Sequence, residues 1–178
     1  MSWFKRGLPP HHTALAMIGA RAGDRVLFVG AGAPALSAEI ARVTGLNGRT
    51  VVLDRAEGAR TRVDRAAAQV GALVEFEDAP TTMLPLDPDI FDIVVIVGDK
   101  GAGDAMPRTA FEACRVLRPG GRVIIRWPLR RTGVFGAGAP PAPPIIEILQ
   151  GAGAVAVRHL ADADGVAYFE ARKGRTSD

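Results

Sequence analysis

The run Arg25-Val26-Leu27-Phe28-Val29 stops abruptly at Gly30-Ala31-Gly32, and a helical pattern begins at once with Pro34. No other stretch limits the fold so tightly. Four apolar residues in a row, two of them β-branched, read as a short buried strand. Glycines between such a strand and a helix leave backbone N–H groups open to a ligand, which suits a nucleotide-like cofactor. The next apolar run closes on Asp54, about twenty residues on, where a carboxylate can grip a ribose diol. The string Gly30-x-Gly32-x-x-Ala35 also fits the loose dinucleotide fingerprint of nicotinamide-dependent oxidoreductases. A tight turn with no ligand would produce the same string, so the remaining chain has to decide.

The pattern continues as alternating strands and helices. His11–Arg21 reads as a short helix with Leu15 and Ile18 on one face. Leu36, Ile40 and Val43 repeat at helical spacing after Pro34, whose missing N–H suits a first turn. Thr50–Leu53 reads as strand two, and a helix follows from about Glu57 to Val70. Leu73–Phe76 reads as strand three. Ile90–Val97 is the most apolar run and is expected at the centre of a sheet, buried on both faces. A helix over Ala105–Leu117, a stop at Pro119-Gly120-Gly121, strand five over Arg122–Trp127 and a short helix at Ile145–Leu149 come next. Alternation on both sides of Asp164-Gly165 then predicts a terminal antiparallel hairpin. The expected fold is α/β: a doubly wound, mostly parallel sheet of seven strands, ending in that hairpin.

With 178 residues, the chain suits one domain over 1–178, with an N-terminal arm at 1–10 and a mobile loop at 133–144 rich in glycine, alanine and proline. No apolar run approaches the ~18–20 residues of a membrane span, and the N-terminus lacks the apolar core of a signal peptide. Cytoplasmic residence is expected. The lone Cys114 excludes an internal disulfide and a cysteine-cluster metal site, and no metal is expected. A net charge of +3, with arginines scattered, argues against a nucleic-acid partner.

The landmarks together resemble the class I S-adenosylmethionine-dependent methyltransferases, especially the ubiquinone/menaquinone methyltransferase-like branch. Val26-Leu27-Phe28-Val29-Gly30-Ala31-Gly32, Val51-Val52-Leu53-Asp54 and Phe91-Asp92-Ile93-Val94-Val95 carry part of the likeness. The most specific part is Cys114-Arg115-Val116-Leu117-Arg118-Pro119-Gly120-Gly121 running into Arg122-Val123-Ile124-Ile125. The resemblance implies a Rossmann-like fold, S-adenosylmethionine as cofactor and methyl transfer to a small-molecule acceptor. It also implies that Gly30, Ala31 and Gly32 line the methionine part, that Asp54 bonds the ribose with Arg55 beside it, and that Asp78-Ala79 read the adenine amine. Val97-Gly98 would flank the cofactor.

Two positions depart from the family. Phe28 stands where an acid usually does, and Pro34 where a third glycine usually does. These departures imply a weakened grip on the methionine end with the nucleoside still held. They also support an alternative reading as a ligand-binding domain without catalysis.

Methyl transfer from a sulfonium draws mainly on positioning, so no catalytic triad is required. Candidate bases are Asp99 at the exit of strand four and His11 or His12 near the open end; the bland readings are a loop carboxylate and exposed arm residues. His159, on the sixth strand, reads as structural. Trp127, Arg130 and Arg131, with Arg126, are candidates for a substrate site that would take an anionic acceptor. Trp127 equally fits packing under the following loop. Asp54→Ala is expected to weaken cofactor binding and leave the fold intact.

Overall fold

The computed structural model describes residues 11–99, 101–129 and 142–175. The arm at 1–10, Arg130, Arg131 and positions 133–141 of the expected loop lie outside the described residues.

The elements follow the expected order: α1 (His12–Ile18), β1 (Arg25–Val29), α2 (Pro34–Thr44), β2 (Arg49–Leu53), α3 (Ala59–Val70), β3 (Glu75–Glu77), β4 (Phe91–Val97), α4 (Met106–Val116), β5 (Leu117–Pro128), α5 (Ile145–Gly151), β6 (Ala154–Ala163) and β7 (Val166–Lys173). The strands form one seven-stranded sheet in the order β3-β2-β1-β4-β5-β7-β6. β1 to β5 pair in parallel, while β7 runs antiparallel to both β5 and β6. The hairpin turn at Asp164-Gly165 has φ of 53° and 74°, the left-handed pair that matches strand twist.

Alternation along the central strands splits the core into two layers. Leu27, Val29, Val94 and Ile96 face α4 and α5, together with Met106, Ala110 and Leu149. Val26, Phe28, Ile93 and Val95 face the other way, onto Ile18, Leu36, Ile40 and Val63 of α1, α2 and α3. Each central strand is therefore apolar on both sides, which is why β1 and β4 read as unbroken hydrophobic runs.

Two boundaries differ from expectation for local reasons. β3 starts at Glu75, two residues past the expected start, and leaves Leu73 79% exposed at the sheet margin. Pro119-Gly120-Gly121 is not a stop before strand five but a bulge inside it. Phe91 pairs with Leu117 and Ile93 with Arg122, so the extra residues of β5 loop out of register. Gly120 has φ of 78°, and a Cβ on Gly121 would lie 2.9 Å from the Arg118 carbonyl oxygen. The glycines are what let the bulge close.

β7 is tied to its neighbours through a buried acid. Glu170 accepts from Arg122 on β5 at 3.0 Å and from Arg158 on β6 at 2.9 Å. Arg122 also donates to the Ile18 carbonyl at the end of α1, joining that helix to the sheet.

Candidate functional site

β1 leads through α2 and α3 to β2 and β3 on one side, whereas β4 and β5 continue the sheet on the other. The carboxyl ends of β1 and β4 are therefore the point where the winding reverses, and loops leaving it diverge into a crevice. A cavity of about 320 Å³ opens there, between Gly30, Asp54 and Val97 on the sheet side and Met106 and Thr109 on α4.

The glycine turn is shaped by its neighbours before any ligand is considered. Gly30 has φ of 98°, and a Cβ there would sit 2.9 Å from the Val97 carbonyl oxygen. A Cβ on Gly32 would meet Val97 Cγ1 at 3.2 Å. The loop thus lies directly over the end of β4, and only glycine at position 30 allows it. Pro34 takes the first turn of α2 as expected, and its carbonyl accepts from the Ser37 hydroxyl at 2.9 Å. Phe28 is 1% exposed within the core layer under α2, so its place offers packing and no charge to the turn.

Asp54 does more than end β2. Its Oδ2 accepts the Ala31 N–H at 2.7 Å, across the glycine turn. Its Oδ1 accepts from Arg55 N and Ala56 N at 2.7 and 2.9 Å. The carboxylate therefore braces the turn. Asp54 also lines the cavity.

Among the other expected residues, Gly30, Asp54, Val97 and Asp99 line the cavity. Ala31 is buried behind the turn, and Gly32 and Arg55 are exposed beside it. Asp78 is exposed and outside the cavity lining, while Ala79 is 5% exposed in the core. Gly98 also stands outside the lining; a Cβ there would clash with the Trp127 ring, with Cζ3 at 2.8 Å. Trp127 is itself 1% exposed. It packs against Gly98 at the exit of β4 and does not line the cavity.

Asp99 Oδ1 accepts from Gly101 N at 2.8 Å, closing the turn out of β4 while the residue still faces the cavity. His11 and His12 are exposed at the start of α1 and do not line it. His159 bonds Asp162 at 2.7 Å on the outer strand β6, a structural role. Arg126 is engaged by Tyr168, with the guanidinium 5.7 Å from the ring centre. Sequence reasoning missed Thr81, Met106 and Thr109, which the fold brings to the same cavity.

The loop between β3 and β4 is fastened to α4. Glu112 accepts from Leu84 N at 2.9 Å, and Arg115 donates to the Leu84 and Leu86 carbonyls at 2.9 and 2.8 Å. The two side chains also bond each other. That hydrogen bond holds the Glu112 carboxyl below its usual range despite partial burial. On the same helix, burial pushes the Cys114 thiol up. Among the described residues, no cluster of three or more metal-ligating side chains occurs, and no helix is long and apolar enough to cross a membrane.

A family model described as a methyltransferase domain matches residues 26–121. The chain is 31% identical over 116 residues to the ubiquinone/menaquinone biosynthesis C-methyltransferase UbiE of Pseudomonas putida, a match covering 62% of this chain and 44% of that one. The match thus spans less than half the length of that relative. A SAM-dependent methyltransferase from Aquifex aeolicus aligns with a TM-score of 0.73 at 20% identity, covering 92% of this chain and 89% of that one. A SAM-dependent O-methyltransferase from Thermotoga maritima aligns with a TM-score of 0.71 at 14% identity, covering 100% of this chain and 70% of that one. At such identities the two structures speak to the fold alone.

Proposed function

The chain belongs to the methyltransferase domain family, and from that footing we propose that it binds S-adenosylmethionine and moves the methyl group to a small-molecule acceptor. The observation that supports this best is the meeting of Gly30, Asp54 and Val97 around one cavity at the reversal point of the sheet. Those residues suit a nucleoside with a charged tail. The turn at Gly30 carries no side chain to fill the approach, and Asp54 lines the same cavity with a carboxylate, an acceptor suited to a ribose hydroxyl. The nicotinamide reading shares the first turn but is not favoured by the family match, and the non-catalytic reading is not favoured either.

In this proposal S-adenosylmethionine supplies an electrophilic methyl on a sulfonium. The protein's part is to hold cofactor and acceptor in line, which is worth ~7–11 kcal/mol of a barrier. Asp54 binds the ribose and keeps the glycine turn in shape. Asp99 faces the same cavity with Oδ1 tied to Gly101 N, so Oδ2 is the atom that takes a proton from an acceptor that begins protonated. Arg130 and Arg131, one and two residues past Leu129, support an anionic acceptor by their place in the chain.

Thermal melting tests the cofactor assignment. S-adenosylhomocysteine at 100 times its Kd adds about 2.7 kcal/mol, which raises Tm by roughly 5–11 °C for a chain of this size. NAD produces no shift. A shift with NAD and none with S-adenosylhomocysteine overturns the proposal.

A further inference from the structure

Asp54 fixes where the ribose lies, so the base must occupy the rest of the cavity, toward α4. That wall is apolar at Ile96, Ala102 and Met106, as the faces of a flat heterocycle require. Its uncharged polar side chains are Thr81, from the loop after β3, and Thr109, from α4, and the carboxylate of Asp99 lines the cavity as well. Thr109 is only 4% exposed. A helical threonine commonly bonds the carbonyl one turn back. Here the Ala105 carbonyl accepts the Thr109 backbone N–H, and no hydrogen bond to a described residue engages the hydroxyl. Thr109 is among the residues that line the cavity.

The two threonines are also held relative to each other. Glu112 and Arg115, on the helix that carries Thr109, fasten Leu84 and Leu86 of the loop that carries Thr81. Arg108 on that helix reaches the Thr82 carbonyl at 3.4 Å. Asp78 is exposed and stands outside the lining.

Resting on the S-adenosyl reading, we propose that the hydroxyls of Thr81 and Thr109, not the carboxylate of Asp78, read the hydrogen-bonding edge of the base. The two assignments have different chemistry. A carboxylate only accepts, so it selects a base with an amino group and repels one with an oxo group. A hydroxyl donates or accepts as its proton rotates. Threonines therefore tolerate a 6-amino or a 6-oxo purine, and this pocket is permissive at that position.

Calorimetric titration of S-adenosylhomocysteine and its 6-oxo counterpart, S-inosylhomocysteine, separates them. The wild type binds the two ligands within about tenfold of each other. Thr109→Val weakens S-adenosylhomocysteine binding by about three- to tenfold, the worth of one neutral hydrogen bond. Thr109→Ser restores the affinity, which a role in packing alone would not predict. Asp78→Asn leaves affinity within about twofold. If Thr109→Val fails to fold, Thr81→Val on the surface loop carries the same expectation. A hundredfold preference for the 6-amino ligand, a tenfold loss in Asp78→Asn, or unchanged affinity in both threonine variants overturns the inference alone. Failure of the wild type to bind S-adenosylhomocysteine overturns the cofactor reading and this inference with it.

Discussion

Replacing Asp54 by alanine should destabilise the ligand-free protein, and the structure says which hydrogen bond is responsible. Three backbone N–H groups point at the carboxylate: Ala31, Arg55 and Ala56. Arg55 and Ala56 are exposed, so water replaces the carboxylate there at little cost. Ala31 is 2% exposed. Its N–H loses a charged acceptor, which costs about 1–3 kcal/mol. For a chain of this length that is a fall in Tm of roughly 2–12 °C. The measurement is urea unfolding of wild type and Asp54→Ala without ligand, read by circular dichroism. The same variant should weaken S-adenosylhomocysteine by a further 1.5–3 kcal/mol, about 10- to 150-fold, through the lost ribose bond. Equal stability of the two ligand-free proteins would refute the brace, whatever happened to binding.

Gly98→Ala should cost about 1–3 kcal/mol, because the new Cβ clashes with the ring of the buried Trp127; a variant as stable as wild type in urea would contradict the packing described. Gly30→Ala should cost about 1–3 kcal/mol from its left-handed backbone alone, with the Val97 carbonyl adding to it, and unchanged stability would count against the turn. Burial alone would raise the Glu170 pKa, but the guanidiniums of Arg158 and Arg122 outweigh it and hold the carboxyl below its ordinary value. A depressed folded pKa means that the stability it contributes is present above about pH 4.3, the ordinary glutamate value, and is lost as pH falls through the folded one. Glu170→Gln should therefore be less stable near neutrality and flatter between about pH 5 and pH 3, and parallel curves for the two proteins would remove Glu170 as the source. Pro34→Gly should loosen the start of α2 by about 0.5–1 kcal/mol while strengthening S-adenosylmethionine more than adenosine in calorimetry; equal gains for both ligands would mean that the proline ring does not hinder the methionine end.

The parts of the site that the sequence disclosed are those whose chemistry is local. A glycine between a strand and a helix, and a carboxylate at the end of a strand, announce themselves within a few residues, and Gly30 and Asp54 do line the cavity. Asp78 matched a motif, yet short β3 leaves it exposed outside the cavity, and no sequence spacing reports where an edge loop turns. Thr109 was hidden for the opposite reason. It falls among Met106, Ala110 and Ala113 on the buried face of α4, so by periodicity it reads as a core filler. Only the approach of α4 to the end of β4 turns that position toward a cavity. Pro119-Gly120-Gly121 was legible as a break but not as a bulge, because the register slip depends on pairing with Phe91 and Ile93. Trp127 could be placed near the site from its position on β5, but whether its ring faced up or down was a matter of what Gly98 left open.

Hydrogen exchange with and without saturating S-adenosylhomocysteine tests the central claim most directly, because it locates the ligand as well as detecting it. The account predicts new protection at amides 30–32, 54–56 and 97–99 and around Thr81, all at the carboxyl end of the parallel strands, with little change at the opposite end around Asp24, Asp92 and Arg118. No protection anywhere, or protection confined to that opposite end, would contradict it.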